Sequence, residues 1–191
     1  YIPGLLKIFD EVIVNAIDHS MRLKVETKTD VENLNVNNFK KPLAYITQTT
    51  LSVDDTAEII DTLKNKFPKI KGPIKEDICY ATSNRQAAVK QIAPKSDLLL
   101  VIGAPNSSNS LRLVEVAERL GTRSYLIQRA DEIDPSWLTD VSTIGITAGA
   151  SAPEKLVREV IARVGEWYEV KEETVEAAEE KIVFKLPRQL L

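Results

Sequence analysis

Residues 98–102 read Leu-Leu-Leu-Val-Ile, an aliphatic run that stops at Gly103 and passes through Ala-Pro-Asn-Ser-Ser-Asn into an amphipathic stretch from Ser110 to Leu120. A strand that is apolar on both faces has to be covered on both, as interior parallel strands are. Parallel strands need crossover helices, so the run predicts an α/β fold with a polar loop at the carboxyl end of a central strand. A helix entered from such a loop offers unpaired N–H groups and the positive end of its dipole, which together suit an anion.

The same strand, polar loop and helix order recurs along the chain. Leu43 to Gln48 predicts a strand, Thr49 and Thr50 a loop, and Ser52 an N-cap with Asp55 at N3, opening a helix to about Lys66 that turns Ile59, Ile60 and Leu63 inward. Lys71-Gly-Pro73 is a turn and a domain boundary. After Asp77-Ile-Cys-Tyr80, Thr82 or Ser83 caps a helix through about Ala93. Gly121 is placed at C′ of the next helix; strands follow at Ser124 to Gln128 and Thr143 to Thr147, with a helical turn at Asp134 to Trp137 between them. A helix introduced by Ser151 runs from Pro153 to about Trp167, after which a Glu-rich connector leads to the alternating strand pattern of Lys181 to Leu186. Val25 to Lys41 is a polar connector with one helical turn near Asp30 to Leu34.

Ligands in such folds collect outside the carboxyl ends of the strands. Thr49 and Thr50, Asn106 to Asn109, and Ala148 to Ala152 all fall at such ends. Small hydroxyls and amides beside helix N-termini suit a phosphate held by many neutral hydrogen bonds. On these residues alone, the chain fits a diphosphate- or nucleotide-binding module without redox activity, or a non-catalytic domain whose hydroxyls are helix caps.

A net charge of −3 and the lack of a long Lys/Arg block argue against nucleic acid as the partner. Apolar runs far shorter than a bilayer crossing argue against a membrane span. One cysteine, Cys79, allows no internal disulfide, and no zinc or cluster site built from this chain's thiolates alone. The expected compartment is reducing: cytoplasmic, or plastid stroma in a plastid-bearing source.

Residues 3–23 predict an amphipathic helix, with Pro3 early, Leu5, Leu6, Phe9, Val12, Ile13, Ala16 and Ile17 on one face, and Lys7, Glu11, Asn15, Asp18 and Arg22 on the other. His19, the only histidine, reads as a surface or capping residue. The run from Lys7 to Asp18 resembles the N-terminal ATPase box of type II DNA topoisomerases. That likeness implies Glu11 as the residue activating water and Asn15 as a Mg²⁺ ligand, one turn apart on one face. It ends near Lys24, so 1–24 is expected to be a foreign helix joined to the rest, and an ATPase fragment is a further alternative.

From Val25 onward the chain resembles the LytB family of 4-hydroxy-3-methylbut-2-enyl diphosphate reductases, enzymes of the methylerythritol phosphate route to isoprenoids. The matching motifs are Thr47-Gln-Thr-Thr-Leu-Ser-Val-Asp-Asp-Thr56, Asp77-Ile-Cys-Tyr-Ala-Thr82 with Asn84-Arg-Gln86, Asn106-Ser-Ser-Asn-Ser110 and Thr147-Ala-Gly-Ala-Ser-Ala-Pro153. The resemblance implies three αβα domains around a 4Fe-4S cluster. This chain would carry a partial second domain (25–73), the complete third as a parallel-sheet αβα sandwich (74–167) and a tail (168–191). It implies Cys79 as one cluster ligand, Thr49 as a catalytic residue positioning the substrate hydroxyl, Thr50 and Thr82 as cavity lining, and Ser107, Ser108, Asn109 and Ser151 as diphosphate contacts. It also implies a ferredoxin- or flavodoxin-type electron donor, and reductive dehydroxylation to isopentenyl and dimethylallyl diphosphates. The family's first domain has no counterpart, so the chain is expected to be truncated and inactive alone.

Overall fold

A computed structural model describes residues 25–35, 42–74 and 77–175. The aliphatic run is strand β1 (Leu98–Ile102), with all five residues buried. It lies between β2 (Arg123–Ile127) and β3 (Ile144–Ala148) in a wholly parallel sheet of order β2-β1-β3. Alternation along β1 divides the core. Leu98, Leu100 and Ile102 pack with Ile127, Ile133, Leu138, Val160 and Val164 on one face; Leu99 and Val101 pack with Val89, Ala93, Leu113, Val116 and Ala117 on the other. Both faces are therefore covered, and the αβα sandwich is the one the run predicts.

The helices are α1 (Lys28–Asn33), α2 (Val53–Lys66), α3 (Tyr80–Ile92), α4 (Ser108–Arg119) and α5 (Glu154–Gly165). α1 opens on a capping box of Thr27 and Asp30, and Ser52 Oγ caps α2 by accepting from the Asp55 N–H, as expected. α4 closes on Gly121 at φ 85°, where the Gly121 N–H donates to Glu118 and the Thr122 N–H to Ala117, a Schellman end. Among the described residues, no helix is long and apolar enough to cross a membrane.

Three expectations need correction. Among the described residues, Leu43 to Gln48 makes only one parallel bridge, Ala44 to Lys71, rather than a strand in a ladder. Its burial alternates as a strand's does, but past Tyr45 its inner edge meets a side chain: the Thr47 N–H donates to Asp77 Oδ2 at 2.7 Å. α3 is capped by neither Thr82 nor Ser83. It begins at Tyr80 with Cys79 as N-cap, because the Cys79 N–H is held by the Thr49 carbonyl at 3.2 Å and the chain turns there. α5 begins at Glu154 with Pro153 as N-cap and no side-chain cap, so Ser151 is not committed to capping.

β3 starts one residue later than the pattern suggests because Asp97 captures the residues before it. Asp97 Oδ2 accepts from the Thr143 N–H at 2.9 Å, and from the Ser142 hydroxyl and N–H at 2.8 and 3.0 Å. The Thr143 N–H above all, then Ser142, holds its carboxyl below the 3.8 of a free aspartate. A depressed folded-state value means this contribution is present above about pH 4 and is lost as pH falls through the lowered value. In acid unfolding, Asp97→Asn is expected to flatten the pH dependence below about pH 4; a slope equal to the parent's would contradict this assignment.

Candidate functional site

Helices that follow or precede parallel strands run back against them, so α3, α4 and α5 all present their N-termini at the carboxyl edge of the sheet. This places Cys79, Ser107 and Pro153 along one rim. The sheet's order puts the loops after β1 and β3 side by side, and the Gly149 N–H donates to the Ile102 carbonyl at 2.8 Å, tying them together.

α4 meets both loops through Ser110, which is 1% exposed. A Cβ at Gly103 would lie 2.1 Å from the Ser110 hydroxyl oxygen, and one at Gly149 2.4 Å from it. Neither position has room for a side chain, and that close approach brings the two loops onto the first turn of α4. Ser107 is the N-cap: its Oγ accepts from the Ser110 N–H at 3.3 Å and from the Ser110 hydroxyl at 3.1 Å. Ser108 is exposed, and its N–H and that of Asn109 make no hydrogen bond among the described residues. Among the described residues, the buried side-chain atoms without a partner are both amide atoms of Asn109, Arg112 Nε and Arg163 Nε. Asn109 is 7% exposed, yet among the described residues neither its amide nitrogen nor its amide oxygen has a partner. Buried amides are normally satisfied. Ser151, exposed on the adjoining loop, completes the group expected from sequence.

The second corner gathers Cys79, Thr49 and Thr82. Besides the Cys79 N–H to Thr49 bond, Cys79 Sγ lies 3.1 Å from the buried Thr82 hydroxyl. Thr49 is exposed and Thr50 half-buried on the loop above. α3 and α4 pack together through Val89, Ala93, Leu113 and Ala117, so both corners belong to one face of the sandwich.

Gln86 holds that loop, a role the sequence reading missed. Buried to 1%, it donates from Nε2 to the Leu51 carbonyl at 2.9 Å and accepts the Val53 N–H on Oε1 at 3.0 Å. The signal was present: Thr82, Gln86, Val89 and Ala93 fall on one helical stripe, so Gln86 is a polar residue at an inward position. Gln86→Leu leaves a carbonyl and an N–H unpaired, at about 1–3 kcal/mol each. Amide exchange at Val53 and Cys79 is expected to accelerate more than at β1; uniform acceleration would show a global effect only.

Among the described residues no group of three or more His, Cys, Asp or Glu side chains could hold a metal. Cys79 is exposed and is the chain's one cysteine, whereas an iron–sulfur cluster takes several thiolates. The residues present do not fit a complete cluster; Cys79 offers a single ligand. Glu11 and Asn15 lie outside the described residues.

A family model described as LytB protein matches residues 10–165, a span that includes Glu11 and Asn15. A 4-hydroxy-3-methylbut-2-enyl diphosphate reductase of Acinetobacter baylyi is 53% identical over 166 residues, 87% of this chain and 52% of the relative. The reductase of Chromohalobacter salexigens is 57% identical over the same length. The solved E-1-hydroxy-2-methyl-but-2-enyl-4-diphosphate reductase of Plasmodium falciparum superposes with a TM-score of 0.78 at 36% identity, covering 93% of this chain and 56% of that one. The chain thus spans about half the length of the relatives it matches. With the family model spanning most of the chain, and the α/β fold matching that of the solved reductase, this chain belongs to the LytB family.

Proposed function

We propose that the α4 N-terminus and the loop after β3 hold the diphosphate of 4-hydroxy-3-methylbut-2-enyl diphosphate, as part of a reductase of the methylerythritol phosphate route. The observation that carries this is the buried, unpartnered amide of Asn109 beside the unpaired N–H groups of Ser108 and Asn109. An anion there would accept from the amide nitrogen and the helix N–H groups, and the dipole favours its charge. Ser107, Ser108 and Ser151 supply hydroxyl donors around it. Thr49 and Thr82, which contact Cys79, would with Thr50 meet the carbon end of the substrate, with Thr49 orienting its hydroxyl.

Cys79 would contribute one thiolate toward the family's 4Fe-4S cluster, for which a ferredoxin- or flavodoxin-type protein would supply electrons. This chain's own residues do the binding and orienting. Reduction requires ligands beyond those it contains. A diphosphate- or nucleotide-binding module without redox activity would use the same cradle, and the substrate's carbon end separates the two. At about 100 times its Kd, a ligand raises stability by about 2.7 kcal/mol. The substrate is expected to reach that stabilisation at lower concentration than inorganic diphosphate. Equal potency of the two supports the plain diphosphate module, and no stabilisation by either refutes the cradle.

A further inference from the structure

The loop that carries Thr49 and Thr50 is tied down at Thr47, and the tie is a carboxylate. Leu43 to Tyr45 pairs with Lys71 through two backbone hydrogen bonds, from the Tyr45 N–H to the Lys71 carbonyl at 2.9 Å and from the Lys71 N–H to the Leu43 carbonyl at 3.0 Å. In a parallel ladder the next rung would run from the N–H of residue 73 to the Tyr45 carbonyl, and residue 73 is a proline, which has no N–H. The ladder ends there. Beyond it the half-buried Asp77 takes the place of backbone: its Oδ2 accepts from the Thr47 N–H at 2.7 Å and from the Thr47 hydroxyl at 3.3 Å. Two residues on along both segments, the Cys79 N–H donates to the Thr49 carbonyl at 3.2 Å. Among the described residues these three are the hydrogen bonds that residues 46–50 make, so from Tyr45 to the Gln86 anchor at Leu51 the loop is held by Asp77 and Cys79.

A carboxylate is suited to this task. It only accepts, so Thr47 can give it both of its donors, and hydrogen bonds to an ionised acceptor are roughly twice as strong as neutral ones. Asp77 and Cys79 are two residues apart, so one short segment fixes the loop at Thr47 and meets it again at Thr49. The α4 cradle has no such dependence, because Ser107, Ser108 and Asn109 stand on the connection from β1 to α4 within the sandwich itself. We propose that Asp77 is a positioning residue for the reaction: acting through Thr47, it seats Thr49 against Cys79. Recognition of the substrate's hydroxyl end then depends on Asp77, while the grip on its diphosphate does not. The proposal rests on the reductase reading above.

Three variants of the full chain test it, with affinities for 4-hydroxy-3-methylbut-2-enyl diphosphate and for inorganic diphosphate read by calorimetry below the unfolding transition. Asp77→Ala is expected to lose about tenfold in affinity for the substrate and to bind inorganic diphosphate as the parent does, because a displaced Thr49 no longer meets the hydroxyl. Asp77→Asn keeps an oxygen that accepts from the Thr47 N–H and should recover most of that loss. Leu100→Ala, which weakens the fold from within the sheet, should leave both affinities at the parent's values. Without ligand, amide exchange at Thr47 and Cys79 should accelerate relative to β1 in Asp77→Ala and return toward the parent's rate in Asp77→Asn. Equal loss for both ligands, the parent's preference retained in Asp77→Ala, no recovery in Asp77→Asn, or unchanged exchange at Thr47 and Cys79 would each overturn the proposal. If the parent itself binds neither ligand, or both equally, the reductase reading fails and this proposal falls with it; where the parent prefers the substrate, the variants decide on Asp77 alone.

Discussion

Asn109→Leu is expected to make the free chain more stable and to weaken its hold on diphosphate. Leucine keeps the branched outline of asparagine with two larger methyl groups and no polar atoms, so the variant loses a buried amide with no partner on either atom among the described residues. An unsatisfied buried polar group costs about 1–3 kcal/mol, and the variant's unfolding free energy in urea should rise by about that amount. Hydrogen bonds to a charged group are worth about 1.5–3 kcal/mol, so affinity for diphosphate should fall by roughly 10- to 100-fold. Stability and binding thus move in opposite directions, as they do where an unsatisfied group is kept for function. A variant that is less stable and binds as the parent does would show that the amide serves the fold.

The largest loss of stability is expected for Leu100→Ala. Leu100 is the middle residue of the central strand, paired with Tyr125 and Ile146 and 0% exposed, in the core cluster that holds Leu138, Val160 and Val164. Strands on both sides prevent collapse into the space left, so the cost should lie in the range of about 2–5 kcal/mol by urea unfolding with an unchanged slope. Below the unfolding transition, diphosphate affinity should stay at the parent's value, because Leu100 points into the core beneath the sheet and away from the rim. A loss under about 1 kcal/mol would mean the site relaxes around the cavity.

Much of this architecture is readable in the residues because it is local. The aliphatic run, the Ser52 cap and Gly121 are each decided by a few neighbours in sequence, and each stands where the pattern puts it. The misreadings come from contacts distant in sequence. Leu43 to Gln48 has the alternation of a strand, but a ladder needs a neighbour, and among the described residues the only backbone bridge is at Lys71. Thr82 is a better capping residue than Cys79 by type, yet the Thr49 carbonyl fixes the turn at Cys79. The cluster of hydroxyl and amide residues before α4 marks a site without saying who caps and who waits. Only the structure shows that Ser107 takes the cap and leaves Asn109 buried and unsatisfied.

The central claim is that the first turn of α4 and the loop after β3 form one diphosphate cradle. It is tested most directly by titrating inorganic diphosphate into the isotope-labelled chain and following every assigned amide by NMR. The account predicts saturable shifts at Ser108, Asn109 and Ser151, with β2 and the C-terminal turn of α4 undisturbed. Shifts confined to residues away from that rim, or none at saturating diphosphate, would contradict it.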